Sequence, residues 1–331
     1  MELLNSKLTR RDLLLCIPLM AIPSAPLKAT IGASNDVSTL ASTGDRSLGS
    51  AGQRIGIALG AGGANGLAHI AMLEVLDELE IRPHRIAGAS IGAVIGAMYA
   101  SGMSASKIRD LANQAFMTKE SDSPYDLLSA QALNWLELVE LELGNGGLLD
   151  SQKILSHFYQ SIEPRDFSDL EIRMDVVAGD LWKREQVILN SGKLLPAVQA
   201  SMAIPGVFRP VVMGNRVLID GGTVNPVPWD LLFEDCDIVV GIDVSGVRSR
   251  PGSDELGYFE ILFNSIEVMQ KAIIDEKLRN RRPDIFIAPE VRDVRALEFY
   301  AAKEVFEQSN SAKERFRSEL TALIAKQGRE R

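Results

Sequence analysis

From residue 54 onward, short runs of apolar and β-branched residues alternate with longer stretches in which apolar positions recur every three or four residues. The first pattern suits strands and the second suits helices with one buried face. Residues 54–59 predict a first strand, and the turn Gly60-Ala61-Gly62-Gly63-Ala64-Asn65-Gly66 follows it. Residues 67–80 predict a helix with Leu67, Ile70, Val75, Leu76 and Leu79 on approximately one face and Asp77, Glu78 and Glu80 outside it. The arrangement then repeats: a short strand over 85–87, the turn Gly88-Ala89-Ser90-Ile91-Gly92, and a helix of small residues over 93–101. Both turns are expected to open at the same sheet edge. Further strands are predicted over 174–178, 186–190, 216–219, 238–243 and 284–287, and a long charged helix or helix pair over 294–326. Strands alternating with helices indicate an α/β fold with a mostly parallel sheet covered by helices.

Two segments depart from this pattern. In 122–147, Leu133, Trp135, Leu136, Leu138, Val139, Leu141 and Leu143 mix two-residue and helical spacing among glutamates. An amphipathic lid over a lipid-accepting cleft and an ordinary core helix both fit that pattern. At the other departure, Arg10-Arg11 precedes an apolar run over 13–22 and then small residues and prolines. That order is an n-region, a short h-region and a cleavage zone, so residues 1–29 are expected to be an export signal resembling the twin-arginine type, with an exported, periplasmic or otherwise extracytoplasmic location. An uncleaved anchor and a basic tail are the alternatives. The run of about ten residues is short of the roughly 20 needed to span a bilayer as a helix. Residues 30–53, rich in Ser, Gly, Thr and Ala, read as a flexible linker to one domain over 54–331.

Length and composition fit this organisation: 331 residues, 46% apolar and 24% charged, can build a sizeable core. The net charge of −9, with no basic stripe in the body of the chain, excludes a nucleic-acid partner by any ordinary electrostatic route. Cys16 and Cys236 are the two cysteines, too few for a disulfide framework.

Candidate chemistry centres on Ser90. Glycines at 88 and 92 permit a sharp strand-to-helix turn that lifts the serine hydroxyl out of the sheet, and the helix start adds partial positive charge where negative charge develops in acyl transfer. A structural turn is the plain alternative. A serine nucleophile needs a base, and the chain holds three histidines, His69, His84 and His157. A late histidine would complete a serine–acid–histidine order, and none follows residue 157, so a carboxylate acting directly on the serine becomes the leading option. Asp220, at the end of the 216–219 strand and before Gly221-Gly222, is the best placed, with an ordinary Asp-Gly turn as the alternative. The spacing of Gly60, Gly62 and Gly63 does not give a dinucleotide fingerprint, so no nucleotide is expected.

Taken together, Gly60 to Gly66, Gly88 to Gly92, Ala200-Ser201-Met202-Ala203-Ile204-Pro205-Gly206-Val207-Phe208, and Asp220-Gly221-Gly222 with Asn225-Pro226-Val227-Pro228 resemble the ordered blocks of patatin-like phospholipases. Ala178-Gly179-Asp180-Leu181 echoes a further strand-end block. The resemblance implies a three-layer α/β/α domain that hydrolyses lipid acyl esters, of phospholipid or lysophospholipid, without metal or other cofactor, at a membrane surface. It also implies that Ser90 attacks and Asp220 takes its proton, while the backbone N–H groups of Gly62, Gly63 and Ala64 form the oxyanion hole. Two departures stand out. Ala61 replaces the first of three glycines, which predicts an altered loop if that position needs positive φ, and Asn65 replaces a basic residue, which leaves open a neutral ester. Arg209 is a candidate for supplying the missing charge. A catalytically silent protein of the same fold, binding lipid or a partner, is the competing reading.

Overall fold

The five-residue apolar run Ile55–Leu59 forms β1 at the middle of the sheet, buried along its whole length. In this computed structural model, residues 53–116, 155, 162, 164–249 and 258–329 are described. The export segment, the linker, the 122–147 stretch and His157 lie outside them. After β1 come α1 (Ala68–Glu78), β2 (Arg85–Ala89), α2 (Ile91–Ala100) and α3 (Ala105–Phe116). The second half contributes β3 (Arg173–Asp180), β4 (Glu185–Leu189), α4 (Leu194–Ser201), β5 (Val211–Met213) and β6 (Arg216–Asp220). It ends with β7 (Ile238–Ile242), α5 (Tyr258–Asn280), β8 (Ile285–Ile287) and α6 (Ala302–Arg329).

β8, β7, β1, β2 and β3 are joined by parallel pairings, and β4, β5 and β6 join by antiparallel ones. Helices cover both faces. Ile55, Ile57 and Leu59 point into the larger core with side chains of α1, α2, α3 and α6, while Ala58 packs on the opposite face with Trp229, Leu232 and Ile274 of α5. Burial on both faces is why the central strands read as continuous apolar runs rather than alternating ones. The three layers expected from the family resemblance are present.

The register around β3 brings distant parts of the chain together. Val176 to Asp180 pair with β4 along one edge. On the other edge, Arg85–Ala89 pair with residues 173–177, and Leu218–Asp220 pair with Ala178 to Asp180. β2 and β6 therefore share one edge of β3, arriving from opposite directions and meeting between Val177 and Ala178. Ser90 and Asp220 stand at that junction.

All the predicted strands form, with ends shifted by a residue or two, and β5 is an addition. The 294–326 helix prediction needs correction, because α6 begins at Ala302. Residues ahead of it form a connection that crosses the glycine turn, where the Ala296 carbonyl accepts the Ala64 N–H at 2.8 Å. That tertiary bond and the stacking of Phe299 on Phe116, 4.9 Å between ring centres, outcompete helix extension. Among the described residues, no helix is long and apolar enough to cross a membrane.

Candidate active site

Ser90 follows the last residue of β2 and precedes the first of α2, so the turn consists of one residue. It has φ 54° and ψ −124°, a conformation that costs a non-glycine residue of order 1–3 kcal/mol and persists only where the surroundings impose it. Gly92 is one such constraint: a Cβ there would lie 2.2 Å from the Leu59 carbonyl oxygen, so any side chain would push α2 away from β1. Gly88 packs similarly against Gly92 and Ala93 at the start of α2. Ser90 is buried, and its N–H donates to Ser201 Oγ at 2.9 Å.

The Ser90 hydroxyl donates to Asp220 Oδ2 at 2.6 Å. The other carboxylate oxygen, Oδ1, accepts the Gly222 N–H at 2.7 Å, and the Asp220 N–H donates to the Ala203 carbonyl at 2.9 Å. Gly221 lies against β3, where a Cβ would sit 2.1 Å from the Val177 carbonyl oxygen. Burial pushes the Asp220 carboxyl up to about 6, opposed by the hydrogen bonds from Ser90 and Gly222. A carboxylate in direct contact with a serine, and with an affinity for protons well above that of a solvated aspartate, can accept the hydroxyl proton as the oxygen attacks.

Block 200–208 supports this pair from behind. Ser201 holds the backbone of Ser90 and Ala203 holds the backbone of Asp220, so one segment sets the position of both. The sequence marked the block through family resemblance, without a physical role. Ser201→Ala leaves the buried Ser90 N–H without an acceptor and is expected to cost about 1–3 kcal/mol of unfolding free energy in urea titration.

The glycine turn differs from expectation in three respects. The Ala64 N–H is already given to the Ala296 carbonyl, so of the three anticipated donors only those of Gly62 and Gly63 make no hydrogen bond among the described residues. Ala61 takes no positive φ. That conformation falls on Gly63, at φ 56°, and the Ala61 methyl packs with Ala89 and Val177. The loop therefore tolerates alanine at 61 without strain. Asn65 is buried with its amide donating to the Ser245 carbonyl at 3.2 Å, facing the loop after β7 rather than the serine.

The two histidines among the described residues stand aside from the pair. His69 is fully buried with Nε2 2.8 Å from the Gly60 carbonyl, and burial lowers its imidazole to about 4. The neutral ring donates through Nε2 and so anchors the glycine turn. His84 lies just before β2, its N–H bonded to the Ile55 carbonyl, at the opposite end of the strand from Ser90.

Two arms of a cleft meet at Ser90. The larger is lined by Leu67, Ile70, Val94, Met98, Ile108 and Phe208, with other apolar residues. The smaller runs past Asp220 beneath α5, between Thr223, Phe263, Glu267 and Gln270. Among the described lining residues of either arm there is no lysine or arginine, and Arg209 lines neither. The Arg248 guanidinium is held by Glu267, a lining residue of the smaller arm, through two contacts of 2.8 and 2.9 Å.

This geometry sits in a chain with clear relatives. An uncharacterized NTE family protein of Mycobacterium tuberculosis is 31% identical over 210 residues, 63% of this chain and 54% of the relative. YqhO of Bacillus subtilis is 28% identical over 262 residues, 73% of this chain and 89% of that protein. Thus the chain spans about half the length of the mycobacterial relative. Among solved structures, VipD from Legionella pneumophila matches with a TM-score of 0.41 at 15% identity, covering 81% of this chain and 69% of VipD. The family model for patatin-like phospholipase matches residues 57–233, from β1 through the glycine turn, the Ser90 elbow and Asp220, and the chain belongs to the patatin-like phospholipase family.

Proposed function

We propose that this chain is a serine acyl hydrolase cleaving carboxylic ester bonds of lipids, with Ser90 as nucleophile and Asp220 as the base that activates it. The observation that carries the reading is the direct 2.6 Å hydrogen bond from Ser90 Oγ to Asp220 Oδ2 at the mouth of an apolar cleft. In the first half-reaction Ser90 Oγ attacks the ester carbonyl, its proton passes to Asp220, and the alcohol departs with that proton. In this mechanism the Gly62 and Gly63 N–H groups donate to the oxyanion, and the α2 N-terminus adds favourable potential. In the second half, Asp220 takes a proton from water as the water attacks the acyl-serine.

The large apolar arm suits the acyl chain. With no cation among the described lining residues, both arms favour an ester whose nearest neighbour is uncharged, such as a neutral glyceride or a lipid whose phosphate lies farther from the carbonyl. The outer face of α5 leaves Ile261, Val268 and Met269 exposed on the same helix that roofs the smaller arm, which supports substrate presented at a lipid surface. The export reading of residues 1–29 would put that surface outside the cytoplasm. The silent alternative rested on Ala61 and Asn65, and neither side chain disturbs the Ser90–Asp220 contact.

A long-chain fluorophosphonate tests the reading. It should add covalently to Ser90, seen by mass spectrometry of the peptide, and block turnover of p-nitrophenyl esters. No adduct and no turnover on any acyl ester would defeat the proposal.

A further inference from the structure

Gln270 lies on the inner face of α5, in the helical series Phe263, Glu267, Gln270, Ile274 that faces the protein rather than solvent. It is only 7% exposed, yet its side-chain amide makes no hydrogen bond among the described residues. Neither polar atom of the amide is sealed off from solvent, so it can be satisfied from the space it faces by something other than the protein. Its surroundings indicate what that is. The amide borders the smaller arm together with Ser90 and Asp220, and its Nε2 and Asp220 Oδ1 both lie against Gly222, 2.5 and 3.0 Å from where a Cβ on that glycine would stand. The other polar side chains of that arm are committed elsewhere: Thr223 donates to the Asp220 carbonyl, and Glu267 is paired with Arg248.

We propose that Gln270 binds the acyl acceptor, holding the hydrolytic water beside Asp220 in the second half-reaction. The inference rests on the Ser90–Asp220 reading above. Once Ser90 is acylated, its oxygen no longer donates to Asp220, and a water can take that place. One proton of the water goes to Asp220 as its oxygen bonds to the acyl carbon. The Gln270 amide, with a donor and an acceptor, fixes the orientation of that oxygen. Collapse of the tetrahedral intermediate breaks the bond to Ser90 Oγ, which recovers the proton from Asp220, and the free acid leaves. Among the described residues lining the apolar arm, the only polar side chain is that of Ser90 itself.

The test uses the full chain and Gln270→Met, which keeps the side-chain length and removes the amide. With p-nitrophenyl esters the leaving group departs unaided, so the pre-steady-state release of p-nitrophenolate should match wild type. Steady-state turnover should fall roughly tenfold to hundredfold, the loss of one well-placed hydrogen bond. Intact-mass measurement during turnover should show acyl-Ser90 accumulating in the variant. Equal steady-state rates with no accumulation would overturn the inference, as would a proportional fall in both phases in a variant with wild-type thermal stability. Should Gln270→Met lose stability, Gln270→Leu with the acyl-Ser90 mass readout decides the matter on the same terms. If wild type itself forms no acyl-serine and turns over no ester, the underlying reading fails. A wild type that acylates and a variant that deacylates normally sink only the role of Gln270.

Discussion

Replacing Asp220 with asparagine is expected to abolish acyl-ester turnover and at the same time stabilise the folded chain above neutral pH. The activity loss follows from removing the group that, in the proposed mechanism, receives the Ser90 proton. With no histidine bonded to the serine among the described residues, kcat should fall at least about 10³-fold. The gain in stability follows from burial. Asp220 is buried and its carboxyl is pushed from 3.8 to about 6, mainly by loss of solvation. Below about pH 3.8 the carboxyl is protonated in both folded and unfolded chains, and the fold carries no penalty from it. As pH rises through 6 the folded chain must bury a charge, and that contribution to stability is lost. The gap corresponds to about 3 kcal/mol. Asparagine has no charge to bury, so Asp220→Asn should unfold at higher urea than wild type at pH 8, with the difference vanishing near pH 4. His69 acts in the opposite direction: with its imidazole lowered to about 4, both proteins lose stability as pH falls from 6.5. Only the difference between them therefore reports on Asp220. In wild type, kcat/KM should rise with pH through about 6, since the charged carboxylate is the active form. A variant that stays active, or whose stability margin over wild type is no larger at pH 8 than at pH 4, would contradict this account.

Gly63→Ala is expected to lower kcat/KM by about 10²–10³, the usual loss when one oxyanion donor is removed. At φ 56° alanine is strained, and its Cβ would lie 2.3 Å from the Ala296 carbonyl oxygen. Neither backbone segment can yield without turning the Gly62 and Gly63 N–H groups away from the serine. Gly214→Ala is the control. Gly214 has a similar φ of 62°, with nothing within 4 Å of an added Cβ, so it shares the strain without the collision. It should lose a little stability and keep its activity. Equal activity losses in the two variants would show that strain alone, rather than displacement of the loop, governs the effect.

How far the site could be read from the sequence depends on how local its determinants are. Ser90 was legible because strand, turn and helix are consecutive and each leaves its own pattern. Asp220 was identified through the missing late histidine and the family resemblance, since nothing adjacent to it announces a partner 130 residues away. Ser201 and Gln270 act through bonds or spaces formed only by the tertiary fold. α5 went unpredicted because its apolar residues lie on two faces: Phe263 and Ile266 toward the cleft, Ile261 and Val268 toward the outside. That division blurs the single stripe by which a helix is recognised. The expected role of Ala64 failed for a related reason, because its partner, Ala296, lies more than two hundred residues downstream.

The meeting of β2 and β6 on one edge of β3 ties chemical competence to completion of folding. Neither strand touches the other through its own ladder, and β3 alone sets how they line up. A slip of β6 by one residue would carry the Asp220 side chain to the opposite face of the sheet and leave Ser90 without its acceptor. An incompletely paired chain can thus expose an apolar groove and still be unable to attack an ester. Recovery of esterase activity during refolding should accordingly trail the return of helical signal and coincide with formation of the final long-range pairing. On the function proposed above, the arrangement keeps the site inert until its sheet is finished.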